Sequence, residues 1–216
     1  MSAVPLSQPG SAQPRALSQI LRVVITGPVG AGKSTYIETT SEIEVVRTER
    51  QACTPATRRL KPETTVAMDF GRITLNPRMA VHLYGTPGQM RFDFMWDLLI
   101  QRAHGYVLLV AAHRPAQFET ARYIHRFMSE RTLSPCVIGL THLDSPDAWP
   151  PVELLLALGF DRQTCPPVIG VNTQERRSVA RSLLLLAQHM SRSRQSTKAP
   201  TQPPTNPASP PIAFSA

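Results

Sequence analysis

Gly27-Pro28-Val29-Gly30-Ala31-Gly32-Lys33-Ser34, followed by Thr35, is the stretch that decides the fold. It satisfies the phosphate-loop pattern G-x-x-x-x-G-K-[ST] and comes directly after an apolar run, Leu21 to Ile25. Its three glycines accept backbone conformations that a Cβ would forbid, so successive N–H groups can turn inward around an anion. Lys33 adds a point charge for the β- and γ-phosphates, and Ser34 offers a hydroxyl to Mg2+. The helix that begins here points its positive end at the phosphates. The segment therefore predicts a strand, a phosphate-binding turn and a helix, in that order.

Outward from this point, apolar runs alternate with longer helical patterns, the signature of an α/β protein. Strands are expected at Leu21–Thr26, Thr65–Leu75, Ala80–Tyr84, Gly105–Ala111, Pro135–Leu140 and Pro167–Val171. Helices are expected at Lys33–Ser41, Phe92–Arg102, Gln117–Arg131, Pro151–Leu158 and Gln174–Met190. Only the second and third strands lack a helix between them, so they read as an antiparallel hairpin turning at Asn76-Pro77-Arg78. The expected fold is a mainly parallel six-stranded sheet with one antiparallel edge strand and helices on both faces. Residues 1–18 and the proline-rich 191–216 carry too little apolar surface to fold, leaving one domain over 19–190.

Composition narrows the function classes. Hydrophobic residues make up 42% of the chain, yet no apolar run approaches the roughly 20 residues that span a bilayer. The first residues offer no basic n-region, apolar h-region or myristoylation signal, and Cys53, Cys136 and Cys165 lack a C-x-x-C spacing; the reading is a cytoplasmic protein with reduced thiols. The net charge of +8 is scattered and the aromatic content is 6%, so a solvated basic surface is a better reading than a nucleic-acid groove.

Ligands of open α/β sheets bind at the carboxyl ends of the strands, and the loops there carry apt residues. In Gly85-Thr-Pro-Gly88-Gln89, Gly88 is placed to offer a backbone N–H to a γ-phosphate and Gln89 to orient an attacking water. Thr64 or Thr65 can bring a second hydroxyl to Mg2+, with Thr65 preferred. Such loops, ordered by a terminal phosphate and released on its loss, make a switch. In Thr141-His142-Leu143-Asp144, a carboxylate accepts both the ring N–H and the exocyclic amine of guanine, a pair that adenine does not present. Asn172 ends a further loop, Gly170-Val-Asn172, expected to meet the base. Arg91, Arg58 and Arg59 are candidates for a cation acting on the γ-phosphate in cis.

Together, Gly27–Ser34, Thr64-Thr-Val-Ala-Met-Asp-Phe-Gly71 and Gly85-Thr-Pro-Gly-Gln-Met-Arg-Phe92 resemble the bacterial Ras-like small GTPases of the conservon and MglA-related type, over about Leu21 to Met190. The resemblance implies a Ras-like P-loop NTPase fold, binding of GTP or GDP with Mg2+, slow hydrolysis, and a signalling or polarity role. It also implies regulatory partners such as a GTPase activator or a roadblock-domain protein, through which the chain would reach a membrane. Ras-like proteins usually have Asp at the position of Gly85, where it holds a water on Mg2+; Asp69 on the neighbouring strand is the nearest replacement. They usually have Lys where this chain has His142, whose imidazole can stack on the base instead. The favoured reading is a GTP/GDP switch with GTPase activity; the alternative is a Ras-like scaffold that binds nucleotide without switching, and a small-molecule kinase lacks room for a lid.

Overall fold

Val23, Val24, Ile25 and the unbroken apolar run Gly105–Ala111 cannot face water on either side, and both segments become central strands. The computed structural model describes residues 19–47, 68–161, 163 and 165–198. Its elements in chain order are β1 (Gln19–Thr26), α1 (Lys33–Thr40), β2 (Val46–Arg47), β3 (Asp69–Asn76), β4 (Met79–Gly85), α2 (Asp93–Ile100), β5 (Gly105–Ala111), α3 (Phe118–Ser129), β6 (Cys136–Thr141), α4 (Pro151–Ala157), β7 (Val168–Gly170) and α5 (Arg176–Lys198). The sheet runs β2-β3-β4-β1-β5-β6-β7. All six expected strands are present, and only β3 opposes the others, so the expected α/β architecture holds. The two-residue β2 adds to the edge and covers β3 through Val46↔Phe70 and Arg47↔Asp69.

Strand alternation divides the core between the two faces of the sheet. In β5, Tyr106, Leu108 and Val110 pack with Trp96, Ile124 and Leu154 from α2, α3 and α4. Val107 and Leu109 point the other way, against Tyr36 and Ile37 of α1 and Val179 and Leu186 of α5. Burying each of these large side chains contributes about 1.5–3 kcal/mol relative to exposure. The hairpin turn is as expected, with the Arg78 N–H bonded to Asn76 Oδ1 at 2.8 Å.

The last helix departs from expectation, running past Met190 to Lys198. The hydroxyls of Ser191 and Ser193 donate back to the carbonyls of Ala187 and His189, at 3.0 and 3.1 Å, and no proline intervenes before Pro200. The segment assigned to a tail from 191 therefore begins as helix. Among the described cysteines, burial pushes the Cys136 thiol up to about 12 and raises Cys165, as unreactive thiols require.

Along the sheet the chain reverses direction at β1: β4 lies on one side and β5 on the other. The crevice at the carboxyl end of β1, where ligands bind in such sheets, is filled by the 27–34 loop.

Candidate functional site

The phosphate-loop glycines adopt φ values of 140°, 77° and 94° at Gly27, Gly30 and Gly32, all in the region closed to most L-residues. Gly32 caps α1, whose first turn holds Lys33, Ser34 and Thr35. Lys33 Nζ donates to the carbonyls of Gly27 at 2.8 Å and Pro28 at 2.7 Å, so the cation folds back over the loop. Although part of the residue is exposed, its ammonium is enclosed, and that burial lowers its pKa from 10.5 to about 8, with Asp69 pulling the other way.

Ser34 Oγ donates to Asp69 Oδ2 at 2.6 Å. Antiparallel pairing explains this contact, because Asp69 stands directly opposite Gly85 in the β3–β4 ladder. A Cβ on Gly85 would lie 2.9 Å from Ile37 Cδ1 and 3.1 Å from Asp69 Cβ. Glycine at 85 and aspartate at 69 therefore fit together: the carboxylate reaches the serine from the neighbouring strand.

The loop after β4 is pinned at its base and free at its tip. The Thr86 N–H bonds Ile25 O at 3.0 Å, Thr86 Oγ1 donates to Thr26 Oγ1 at 2.9 Å, and Trp96 Nε1 donates to Pro87 O at 2.8 Å. Gly88 then lies against the phosphate loop, where a Cβ would come 2.6 Å from Val29 N and 2.9 Å from Lys33 Nζ. Gln89 is exposed at the start of a single 3-10 turn, Met90–Phe92. Arg91 lays its guanidinium over the Phe92 ring, 4.9 Å from the centroid. Thr64, Thr65, Arg58 and Arg59 lie outside the described residues.

The base loop is tied to the phosphate loop by Thr141, whose Oγ1 donates to Ala31 O at 3.1 Å. His142 follows at φ 56°, with Nδ1 3.1 Å from Thr141 Oγ1 and its ring 4.5 Å from the His113 ring. Burial and the neighbouring His113 lower its pKa, while Asp144 opposes them. His142, Asp144, Asn172 and Thr173 line a cavity of about 330 Å³. Asn172 shapes this wall from within, since its N–H donates to Ser178 Oγ and its Oδ1 accepts from the Gln174 N–H, both at 3.0 Å. Thr173, missed in the sequence reading, accepts the Thr39 hydroxyl on its carbonyl at 2.7 Å and packs where a Gly32 Cβ would be. His113 and Arg114, which follow β5 in another carboxyl-end loop, were also missed.

This loop, cavity and sheet order define a P-loop NTPase with the Ras-like fold. Residues 56–164, about half of the chain, match the family described as conserved hypothetical ATP binding protein, and the chain belongs to that family. An uncharacterized protein of Methanocaldococcus jannaschii is 25% identical over 111 residues, 51% of this chain; the match spans 64% of that protein's length. Among solved structures, the Arl6 (BBS3) small GTPase of Trypanosoma brucei, with bound nucleotide analogue GppNp, superposes with a TM-score of 0.60 at 17% identity. That match covers 80% of this chain and 98% of the trypanosome protein. Among the described residues no helix is long and apolar enough to cross a membrane.

Proposed function

We propose that the chain is a guanine-nucleotide switch, binding GTP and GDP with Mg2+ and hydrolysing GTP slowly, as in the conservon and MglA-related small GTPases it resembles. The observation that carries this reading is the bond from Thr141 Oγ1 to Ala31 O, which joins a base cavity containing Asp144 to the phosphate loop. The N–H groups of residues 29–34 cradle the phosphates, Lys33 Nζ leaves the carbonyls of Gly27 and Pro28 for the β- and γ-oxygens, and Gly88 closes from the far side. Gln89 holds the attacking water in line.

Ser34 and Asp69, a hydroxyl and a carboxylate, are the hard oxygen donors that suit Mg2+, which takes one or two such groups beside phosphate oxygens. Among the described residues no group of three His, Cys, Asp or Glu side chains makes a separate metal site. Bound there, Mg2+ would neutralise phosphate charge. Thr65 is assigned the second hydroxyl.

Met90, Phe94 and Leu98 are exposed beside the Gly88 loop, and an activator or roadblock-type partner docking on them would read the nucleotide state. The alternative, a scaffold indifferent to nucleotide, predicts equal partner affinity with GDP and with a non-hydrolysable GTP analogue.

The family description favours ATP, and Asp144 favours guanine. Equilibrium binding of GTP and ATP, with and without Mg2+, decides between them. The expected result is a GTP preference of at least about 100-fold, abolished in Asp144→Ala; tighter ATP binding unaffected by that change would overturn the guanine assignment.

A further inference from the structure

We propose that Arg114 is a nucleotide-positioning residue that supplies a cation to the phosphate loop from the loop after β5. The inference rests on the nucleotide reading above.

Arg114 is held by its own loop. Its N–H bonds Ala111 O at 3.2 Å, its carbonyl accepts the Gln117 N–H at 2.9 Å, and Pro115 opens a 3-10 turn immediately after it. The side chain crosses to the phosphate loop: an ideal Cβ on Gly30 would collide with Arg114 Nη1 and lie 3.2 Å from its Cζ. Glycine at 30 thus serves two ends, a positive φ and the seat for a guanidinium.

A chain of rings sets the height of that guanidinium. Arg114 Nε donates to His113 Nε2 at 3.2 Å, and the His113 ring packs on His142 at 4.5 Å. Because guanidinium only donates, Nε2 must accept, which puts the His113 proton on Nδ1. That Nδ1 is buried and has no hydrogen-bond partner among the described residues, so the ring acts as a spacer between His142 and Arg114. Among the described residues no carboxylate forms an ion pair with Arg114.

An exposed guanidinium with no ion-pair partner among the described residues, laid on the phosphate loop, adds positive charge where a phosphate would bind. A nucleotide diphosphate is the anion whose chemistry fits this place, and the guanidinium acts on it as a positive charge at the end of a long stem.

The test uses the full chain with Mg2+ and a fluorescent GDP analogue, comparing wild type, Arg114→Ala, Arg114→Lys and Lys33→Ala. Arg114→Ala is expected to raise the GDP dissociation constant about tenfold, chiefly through faster release, and Arg114→Lys to remain within about threefold of wild type. The defect should shrink at high salt, while melting without nucleotide stays unchanged because the side chain is exposed. GDP affinity in Arg114→Ala equal to wild type, or an equal loss in Arg114→Lys, would overturn the assignment. Failure of the wild type to bind GDP any better than Lys33→Ala does would instead bring down the nucleotide reading itself, and this inference with it.

Discussion

Substituting Lys33 by methionine tests whether the phosphate-loop ammonium is enclosed as the geometry indicates. In the folded chain its pKa falls from 10.5 to about 8, burial being the larger cause and Asp69 the opposing one. Between those values the unfolded chain binds more protons than the folded one, so the stability of the nucleotide-free protein rises with pH through this window. The contribution is complete above the unfolded pKa and is lost as pH falls through the folded one. The full effect is about 3 kcal/mol, of which about 2 kcal/mol falls between pH 8 and pH 10.

Other groups titrate nearby with the opposite sign. Cys136, held up at about 12, and the phenols of Tyr36 and Tyr106, also raised by burial, lower stability as pH climbs above about 9. They do so in both proteins, so the informative quantity is the difference between wild type and Lys33→Met in urea unfolding, measured without nucleotide from pH 7 to pH 10. Wild type should gain about 2 kcal/mol on the variant between pH 8 and pH 10. A difference that stays constant over that range would show that the ammonium is solvated and would refute the enclosure.

Further predictions concern the reactive end of the site. Gln89→Leu should leave GTP affinity unchanged and slow single-turnover hydrolysis at least about tenfold, since it removes a water-orienting group and no binding contact; unaltered turnover would remove Gln89 from the mechanism. Ser34→Ala and Asp69→Ala should each raise the Mg2+ concentration needed to retain GDP by about tenfold, read from release rates in a Mg2+ titration. Gly85→Asp should cost about 1–3 kcal/mol in urea unfolding, because the new Cβ meets Ile37 and Asp69 at 2.9 and 3.1 Å. Adding Asp69→Ala to Gly85→Asp should recover only the part owed to the Asp69 carboxylate, whose Oδ2 lies 3.3 Å from the new Cβ, because the contacts with Ile37 and with the Cβ at 69 remain.

What was legible in the sequence was local. Gly27–Ser34 announces its own turn, and the apolar run 105–111 its own burial, because short-range chemistry dictates both. Arg114 was not legible, because the loop after β5 is distant in sequence from the phosphate loop and is brought to Gly30 only by the sheet order. The extension of α5 runs through a segment that no proline interrupts before Pro200, whereas its polar composition reads as tail. Asp69 shows the limit most clearly. Position by position, Gly85 is a lost carboxylate and Asp69 an ordinary strand residue, equally open to a structural role. The β3–β4 ladder pairs them, and the 2.6 Å bond from Ser34 Oγ to Asp69 Oδ2 sets the aspartate carboxylate beside the serine proposed to hold Mg2+. A carboxylate at 85 and one at 69 compete for the same space, so the glycine is the condition that lets the aspartate reach the serine. Contact alone couples the two positions in stability, so Mg2+ is the readout that separates relocation of the carboxylate from its loss: only relocation lets Gly85→Asp restore, in the Asp69→Ala background, the Mg2+ response that Asp69→Ala removes.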